Sequence, residues 1–451
     1  MVIKKRVAKI LIHQLRIKDN TQRKKEEFSH IPLIIDKITN KTLKQLEQEG
    51  VFVFPSCVHE SADLTMDQVV LQSINDYIYT GNIMGFIGYG DERLMIESRF
   101  SSSGQDYFFQ YLLKRVLDFP NIVNMETDAD QENRLFYLLV FLFPQYLKKA
   151  MRKGLYKTYV HNQYNDNHIK GAIDVSRHIK ENTPFTGKIA YNQRSYSYDN
   201  MLMELVRHTI EYIRKKSYGK RLLTKVKEEV LMVIESTPLY QPLDKRKFIY
   251  ENKHNTIRHA YYYEYRALQH LCLLILQHQK HQIGSGSQQV YGILFDGAWL
   301  WEEYIYTLIA DMFYHPMNKK GNGAQMLFAG NIGLIYPDFI SKYKENRVIA
   351  DAKYKPIENI GSSDYLQLLS YMFRFDAKRG YYFYPETTER KSQILLLNRG
   401  TTYEENVESR KDIMVIKHGL KIPRDVEDYE TFVEQMKLYE HEFCSMVFSN
   451  M

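Results

Sequence analysis

Two carboxylates and a lysine near the C-terminal end of the chain have a spacing suited to polar chemistry. In residues 336–343 (YPDFISKY), Asp338 lies on an otherwise strand-like run, and in residues 348–355 (VIADAKYK), Asp351 and Lys353 are two apart. Side chains two apart on a strand project from the same face. Lys344, Glu345 and Asn346 form a polar turn between the two runs, and a hairpin there brings Asp338 beside Asp351. Two converging carboxylates repel each other, and a divalent cation relieves the repulsion. Hard oxygen donors completed by water suit Mg²⁺. A lysine beside them orients a water or stabilises charge developing on a phosphate. Together these are the parts needed to hydrolyse a phosphodiester. An isolated D-x-K is common on solvated strand edges. Here, however, Val348, Ile349 and Ala350 form an apolar lead-in, Pro337–Asp338 lies upstream, and an amphipathic helix follows.

The elements that must position these residues are legible in outline. Beyond about residue 290 the pattern predicts a helix over 299–313, strands over 332–343 and 347–355, and a helix over 364–375. Strands over 381–384, 394–398 and 413–418 and a helix over 426–448 complete it. Mixed order of this kind predicts a central sheet flanked by helices. Upstream, to about residue 105, short apolar runs (51–55, 83–89, 93–96) are broken by turns at Gly81–Asn82 and Gly90–Asp91, a strand-rich pattern. Residues 106–119 turn helical and Pro120 stops them. From about 130 to 280 helices dominate, at 131–148, 198–216 and 259–279, with Leu268, Leu271, Cys272 and Ile275 on one face of the last. The polar, aromatic stretch 157–173 reads as strand or loop. Small and polar residues at 283–289 (IGSGSQQ) read as a linker. The expectation is an α+β multidomain chain: a strand-rich N-terminal domain (1–130), a mainly helical middle domain (131–285) and a C-terminal α/β domain (286–451).

Bulk properties narrow the class. The chain has 451 residues, 44% hydrophobic and 25% charged, with a formal charge of +7. This is a folded protein whose mild basicity permits nucleic acid as a partner without demanding it. Cys57, Cys272 and Cys444 form no C-x-x-C pair, so neither a disulfide framework nor a zinc module fits. The N-terminus lacks the apolar core and cleavage site of a signal peptide. No apolar run of about 18 residues is present, so no membrane span and a cytoplasmic location are expected. Most of the 36 tyrosines read as half-buried residues of strands and helix faces rather than base-stacking platforms. No phosphate-binding G-x-x-x-x-G-K-[ST] loop occurs, since Gly187–Lys188 and Gly219–Lys220 lack its other residues. His254, His259 and His270 make no H-E-x-x-H metal helix, and His278 and His281 read as a solvated helix end. Residues 319–323 (KKGNG) form a basic loop ahead of the hairpin, read equally well as a phosphate contact or an exposed turn. Residues 243–248 (LDKRKF) read as a solvated charge run.

Pro337–Asp338 followed by Asp351–Ala352–Lys353 resembles the PD-(D/E)xK nuclease superfamily. Glu302 and Glu303 sit on the preceding helix where such nucleases often keep a metal-associated Glu. Gln367 and Tyr371, one turn apart on the following helix, resemble a Q-x-x-x-Y pair found in several branches. The segments LWEEYI, YPDFI, IADAKYK and DYLQLLSYM are similar to successive motifs of the McrC-like branch. This branch supplies the nuclease subunit of McrBC-type GTP-dependent restriction systems, with relatives in the LlaJI and BsuMI systems. HIKGAIDV, with Lys170, Gly171 and Asp174, and SYDNMLMELVRHTI extend the likeness upstream, so that it covers about residues 155–375. The N-terminal segment matches less well, which leans toward the LlaJI or BsuMI side and a defined DNA sequence rather than methylcytosine.

The resemblance implies a C-terminal restriction-endonuclease-like domain and a bacterial phage-defence role as a Mg²⁺-dependent endodeoxyribonuclease, with Mn²⁺ a possible substitute. Its implied metal ligands are Asp338, Asp351, the Ala352 carbonyl and Glu302. Lys353 is expected to position the water and stabilise the transition state, with Gln367 and Tyr371 buttressing the site. The implied partners are double-stranded DNA, an McrB-like AAA+ GTPase bound through the N-terminal and helical regions, and further restriction subunits. GTP would act only through that partner. Two other readings are a stand-alone repair or mobile-element nuclease and an inactive DNA-binding assembly subunit.

Overall fold

In a computed structural model of the chain, the described residues are 13–54, 68–102, 106–117, 131–281, 290–316, 325–399 and 408–449. The expected linker at 283–289, the helix stop at Pro120, the loop 319–323, Cys57 and the side chains of His278 and His281 lie outside them. The fold mixes α and β with several sheets. Its contacts divide it into two compact units, residues 128–285 and residues 1–127 together with 286–451.

The larger unit holds two main sheets. The first orders His13–Lys18, Glu92–Glu97, Ile83–Tyr89, Tyr291–Asp296 and Val51–Phe54. Ile17, Leu94, Ile83, Val51 and Leu294 of these strands pack in one core with Ile34, Ile38, Leu43 and Leu46 of two short helices. Tyr291–Asp296 runs antiparallel to Ile83–Tyr89 and parallel to Val51–Phe54. The sequence pattern passed over this strand, because its inner residues YGILFD are a near-continuous apolar run. Such runs lack the alternation that marks a half-buried strand.

The second sheet orders Phe313–Tyr314, Phe339–Ser341, Val348–Ala352, Arg379–Glu386, Glu408–Lys421 and Gln393–Arg399. Its three middle-lying strands, Val348–Ala352, Arg379–Glu386 and Glu408–Lys421, are parallel, with antiparallel strands on either side. A parallel pair needs a crossover, and the helix Ser362–Arg374 supplies it between Val348–Ala352 and Arg379–Glu386. Gly380 lets that helix lie close: a Cβ there would stand 2.6 Å from Met372 Sδ. The expected strand 332–343 is two strands. Ile332–Ile335 pairs with Gln325–Phe328 in a separate hairpin, and the chain bends before Phe339–Ser341. Pro337 explains the break, since it has no N–H to give a ladder.

The smaller unit is built on the helices Gln131–Met151, Met201–Arg214, Lys227–Ser236, Lys245–His254 and Tyr263–His281. It also carries a three-stranded sheet ordered Thr158–Asp166, Ile189–Ser197, Ala172–Ile173. The first and last of these lie in the stretch 157–173 that reads as strand or loop, and the second carries no strand signal in the sequence. Its polar and tyrosine residues bury too little on either face to give an apolar period. The G-A-I-D turn is structural: a Cβ on Gly171 would stand 2.1 Å from the Asn192 carbonyl oxygen. Asp174 then caps the helix Val175–Glu181 by accepting from the Arg177 N–H.

Candidate active site

Phe339 pairs with Ala350 and Ile340 with Ile349 in the antiparallel hairpin. One step further, the same register sets Asp338 across from Asp351. Asp338 Oδ2 accepts from the Ala352 N–H at 2.8 Å. The other end of the hairpin is fixed by Ser341, whose buried hydroxyl accepts from the Val348 N–H at 2.9 Å. Asp351 is 2% exposed, and the Lys353 ammonium stands 2.6 Å from its Oδ2. Lys353 also donates to Gln367 Oε1 at 3.1 Å, and Gln367 Nε2 donates to the Tyr371 hydroxyl at 2.8 Å. Asp338, Asp351, Lys353, Gln367 and Tyr371 therefore form one contiguous constellation.

Glu302 is brought to the same place by its helix. Asp296 caps the helix Gly297–Ile309 by accepting from the N–H groups of Ala298 and Trp299. Buried Trp301 then pins the helix to the sheet, donating from Nε1 to the Phe383 carbonyl at 3.1 Å. That same carbonyl accepts from the Lys353 N–H, so one sheet atom registers both the helix and the lysine.

The sequence motifs do not single out two further residues of the site. His315 donates from Nδ1 to the Asp338 carbonyl oxygen at 2.9 Å, while its Nε2 lies 3.6 Å from Glu302 and 3.5 Å from Glu303. Burial pulls its pKa down, but the hydrogen bond to Glu303 and the charge of Glu302 outweigh that and raise it. A single His in MFYHP carries no spacing signal. Asp364 accepts from the Lys355 ammonium at 2.7 and 2.8 Å and lies 3.7 Å from the Lys353 Nζ. Its position one turn before Gln367 is the trace it leaves in the sequence.

The electrostatics are those of crowded acid. Burial, then the facing charges of Asp351 and Glu302, holds the Asp338 carboxyl well above the usual carboxylate range, against the opposing pull of Lys353. Burial pulls the Lys353 ammonium down, but Asp351 and Asp338 more than reverse it, so it stays firmly protonated. Among the described residues no group of three or more His, Cys, Asp or Glu stands in metal-holding geometry. Mg²⁺ asks less, one or two carboxylates completed by waters, which Asp338 and Asp351 could supply. The crowding of Asp338 against Asp351 and Glu302, which Lys353 offsets only in part, is what a bound cation would relieve.

A cavity of about 300 Å³ elsewhere in the larger unit, lined in part by Arg99, Glu358, Glu386, Arg390 and Arg424, contains none of these residues. Cys272 and Cys444 are free thiols. Among the described residues no helix is long and apolar enough to cross a membrane.

A family model described as McrBC 5-methylcytosine restriction system component matches residues 78–385. No curated protein matches. Two solved structures from Thermococcus gammatolerans are similar. The first is a half-complex, from a tetradecameric assembly, of McrB AAA+ hexamers with bound McrC. It is 14% identical, covers 94% of this chain and 99% of its own, and has a TM-score of 0.45. The second is the McrBC complex, 13% identical, covering 66% of this chain and 87% of its own, with a TM-score of 0.31.

Proposed function

The chain belongs to the McrBC 5-methylcytosine restriction system component family, and on that premise we propose that it is the nuclease subunit of a restriction complex. It would hydrolyse DNA phosphodiester bonds with Mg²⁺, in the cytoplasm, on a C-terminal PD-(D/E)xK site. The observation carrying the proposal is the convergence of Asp338 on Ala352, beside the Asp351–Lys353 ion pair. Asp338 and Asp351 would hold the cation with the Ala352 carbonyl, and Glu302 would assist. The chemistry that Mg²⁺ or Mn²⁺ held by these residues would supply is a water of lowered pKa and neutralised charge on the scissile phosphate. Lys353 is protonated and reaches Asp351 directly, so its ammonium can orient the attacking water and stabilise the developing phosphorane charge. Gln367 limits its swing, Tyr371 holds Gln367, and His315 ties the backbone of Asp338 to the Glu302 helix.

Nucleotide hydrolysis would come from an AAA+ GTPase partner, as this sequence has no phosphate-binding loop of its own. The test is cleavage of double-stranded DNA by the purified chain with Mg²⁺, with and without an McrB-like AAA+ GTPase and GTP, beside Asp351→Ala. Cleavage confined to the full mixture and lost in Asp351→Ala is the expected result. Cleavage by the chain alone would favour a stand-alone nuclease. None in any mixture would leave an assembly subunit.

A further inference from the structure

Charge is unevenly divided along this chain. Residues 128–285 hold 26 Lys and Arg against 15 Asp and Glu, a formal +11, whereas the whole chain is only +7. The unit that carries the acidic constellation is therefore net −4. A nuclease needs a cationic surface somewhere for a polyanion, and the smaller unit is where the positive charge lies.

Within that unit, one sheet face gathers it with exposed rings. Thr158–Asp166 pairs antiparallel with Ile189–Ser197, Tyr196 opposite Tyr159 and Arg194 opposite His161. The exposed positions of this face are Tyr159, His161 and Gln163 on one side and Arg194, Tyr196 and Tyr198 on the other, flanked by half-buried Lys157, while Asn192 at the far end donates to Asp174. Tyr159, Tyr196 and Tyr198 are 56%, 51% and 44% exposed, although a tyrosine on a sheet ordinarily covers its ring. Their rings are not idle surface. Tyr159 and Tyr196 lie 4.9 Å apart, and the Arg194 guanidinium sits 4.1 Å over Tyr159. The Lys157 ammonium sits 4.9 and 4.6 Å from Tyr196 and Tyr198.

We propose that this face is a binding platform for single-stranded DNA, with Tyr159, Tyr196 and Tyr198 stacking on unpaired bases and Lys157 and Arg194 meeting phosphates. Stacking distinguishes the ligand: duplex DNA keeps its base faces covered, so exposed rings interleaved with cations fit an unpaired strand. The cations already lie over the rings and are held near the positions where phosphates flanking a stacked base would pass. The proposal adds a DNA-binding element to the nuclease reading but stands on residues that reading does not use.

The experiment is fluorescence anisotropy of a labelled oligo-dT strand, and of a duplex of equal length, against the full-length chain at two salt concentrations. Wild type should bind the single strand. Tyr159→Ala and Tyr196→Ala should each weaken it by roughly ten-fold, and Tyr159→Phe should not. Lys157→Gln with Arg194→Gln should weaken it and flatten its salt dependence. Circular dichroism confirms that each variant is folded. Single-strand binding unchanged in the tyrosine variants overturns the proposal, and so does a preference for duplex that ignores them. If the same variants lose only assembly with the GTPase, the face is a protein interface and the proposal also falls. Retained strand binding in a chain that never cleaves DNA would count against the nuclease reading alone.

Discussion

Lys353 places its ammonium directly on Asp351, with Asp338 beyond it and Asp364 at 3.7 Å. Its removal takes the ammonium off buried Asp351, while Asp364 keeps Lys355. Breaking one side of a buried pair costs roughly 3 kcal/mol, so Lys353→Met is expected to melt several degrees below wild type and to cleave no DNA. If the crowded acid is a cation site, Mg²⁺ should raise the melting temperature of Lys353→Met by more than it raises that of wild type. Adding Asp351→Asn should recover stability without metal and remove that response. Thermal melts across a Mg²⁺ titration check this independently of activity, and equal responses in wild type and Lys353→Met would remove the cation from the account. At this scale the sequence showed Asp338, Asp351 and Lys353 because strand alternation makes i, i+2 pairs visible. His315 reaches the site from a separate element, and such proximity has no period, while Asp364 shows only as a residue one turn before Gln367 on the same helix.

The elements repeat that contrast. The hairpin and its helices were legible because alternation, a polar turn and helical spacing are local. Pro337 divided what looked like one strand, and the sheet Thr158–Asp166, Ile189–Ser197, Ala172–Ile173 was half seen because its outward face is polar and aromatic. The helix Met201–Arg214 has an apolar period but also buries Glu204 at 2% exposure. Burial first, then the charge of Asp199, pushes the Glu204 carboxyl up to about 8. Between its ordinary value of 4.5 and about 8, the folded protein keeps a proton that the unfolded chain releases. Stability from this group is thus complete below 4.5, falls as pH rises through that window, and levels off above it. Glu204→Gln removes the dependence. It should stabilise the protein by roughly 1–3 kcal/mol at pH 8 and by almost nothing at pH 4.5. Paired melts at those two pH values decide it, and the same gap at both would mean that Glu204 is ionised in the fold.

At the scale of the molecule, the two ends of the sequence form one compact unit, which no local pattern announces. Tyr291–Asp296 is hydrogen-bonded between Ile83–Tyr89 and Val51–Phe54. The Ser98 hydroxyl lies 2.7 Å from the Tyr354 hydroxyl, one residue beyond Lys353. Glu440 Oε1 accepts from both Tyr111 and Tyr304 at 2.7 Å, and Tyr111 packs edge-on against Tyr304. A fragment starting at residue 286 would keep Asp338, Asp351 and Lys353 but lose Ser98, which meets Tyr354, and Tyr111, one of two tyrosines that donate to Glu440. It would expose the inner faces of Phe295 and Tyr304 and leave the Tyr354 hydroxyl unpaired. Unmade hydrogen bonds of buried polar groups cost about 1–3 kcal/mol each, and bared aromatic surface adds to that, against a total stability of only about 5–15 kcal/mol. Residues 286–451 alone are therefore expected to aggregate or to show no cooperative melt, and co-expression with residues 1–127 should restore both solubility and the melt. Residues 128–285, which form a compact unit of their own, should melt cooperatively when expressed alone. A well-folded, metal-responsive 286–451 fragment would show that the N-terminal strands are dispensable to the site, and would return the chain to three independent domains.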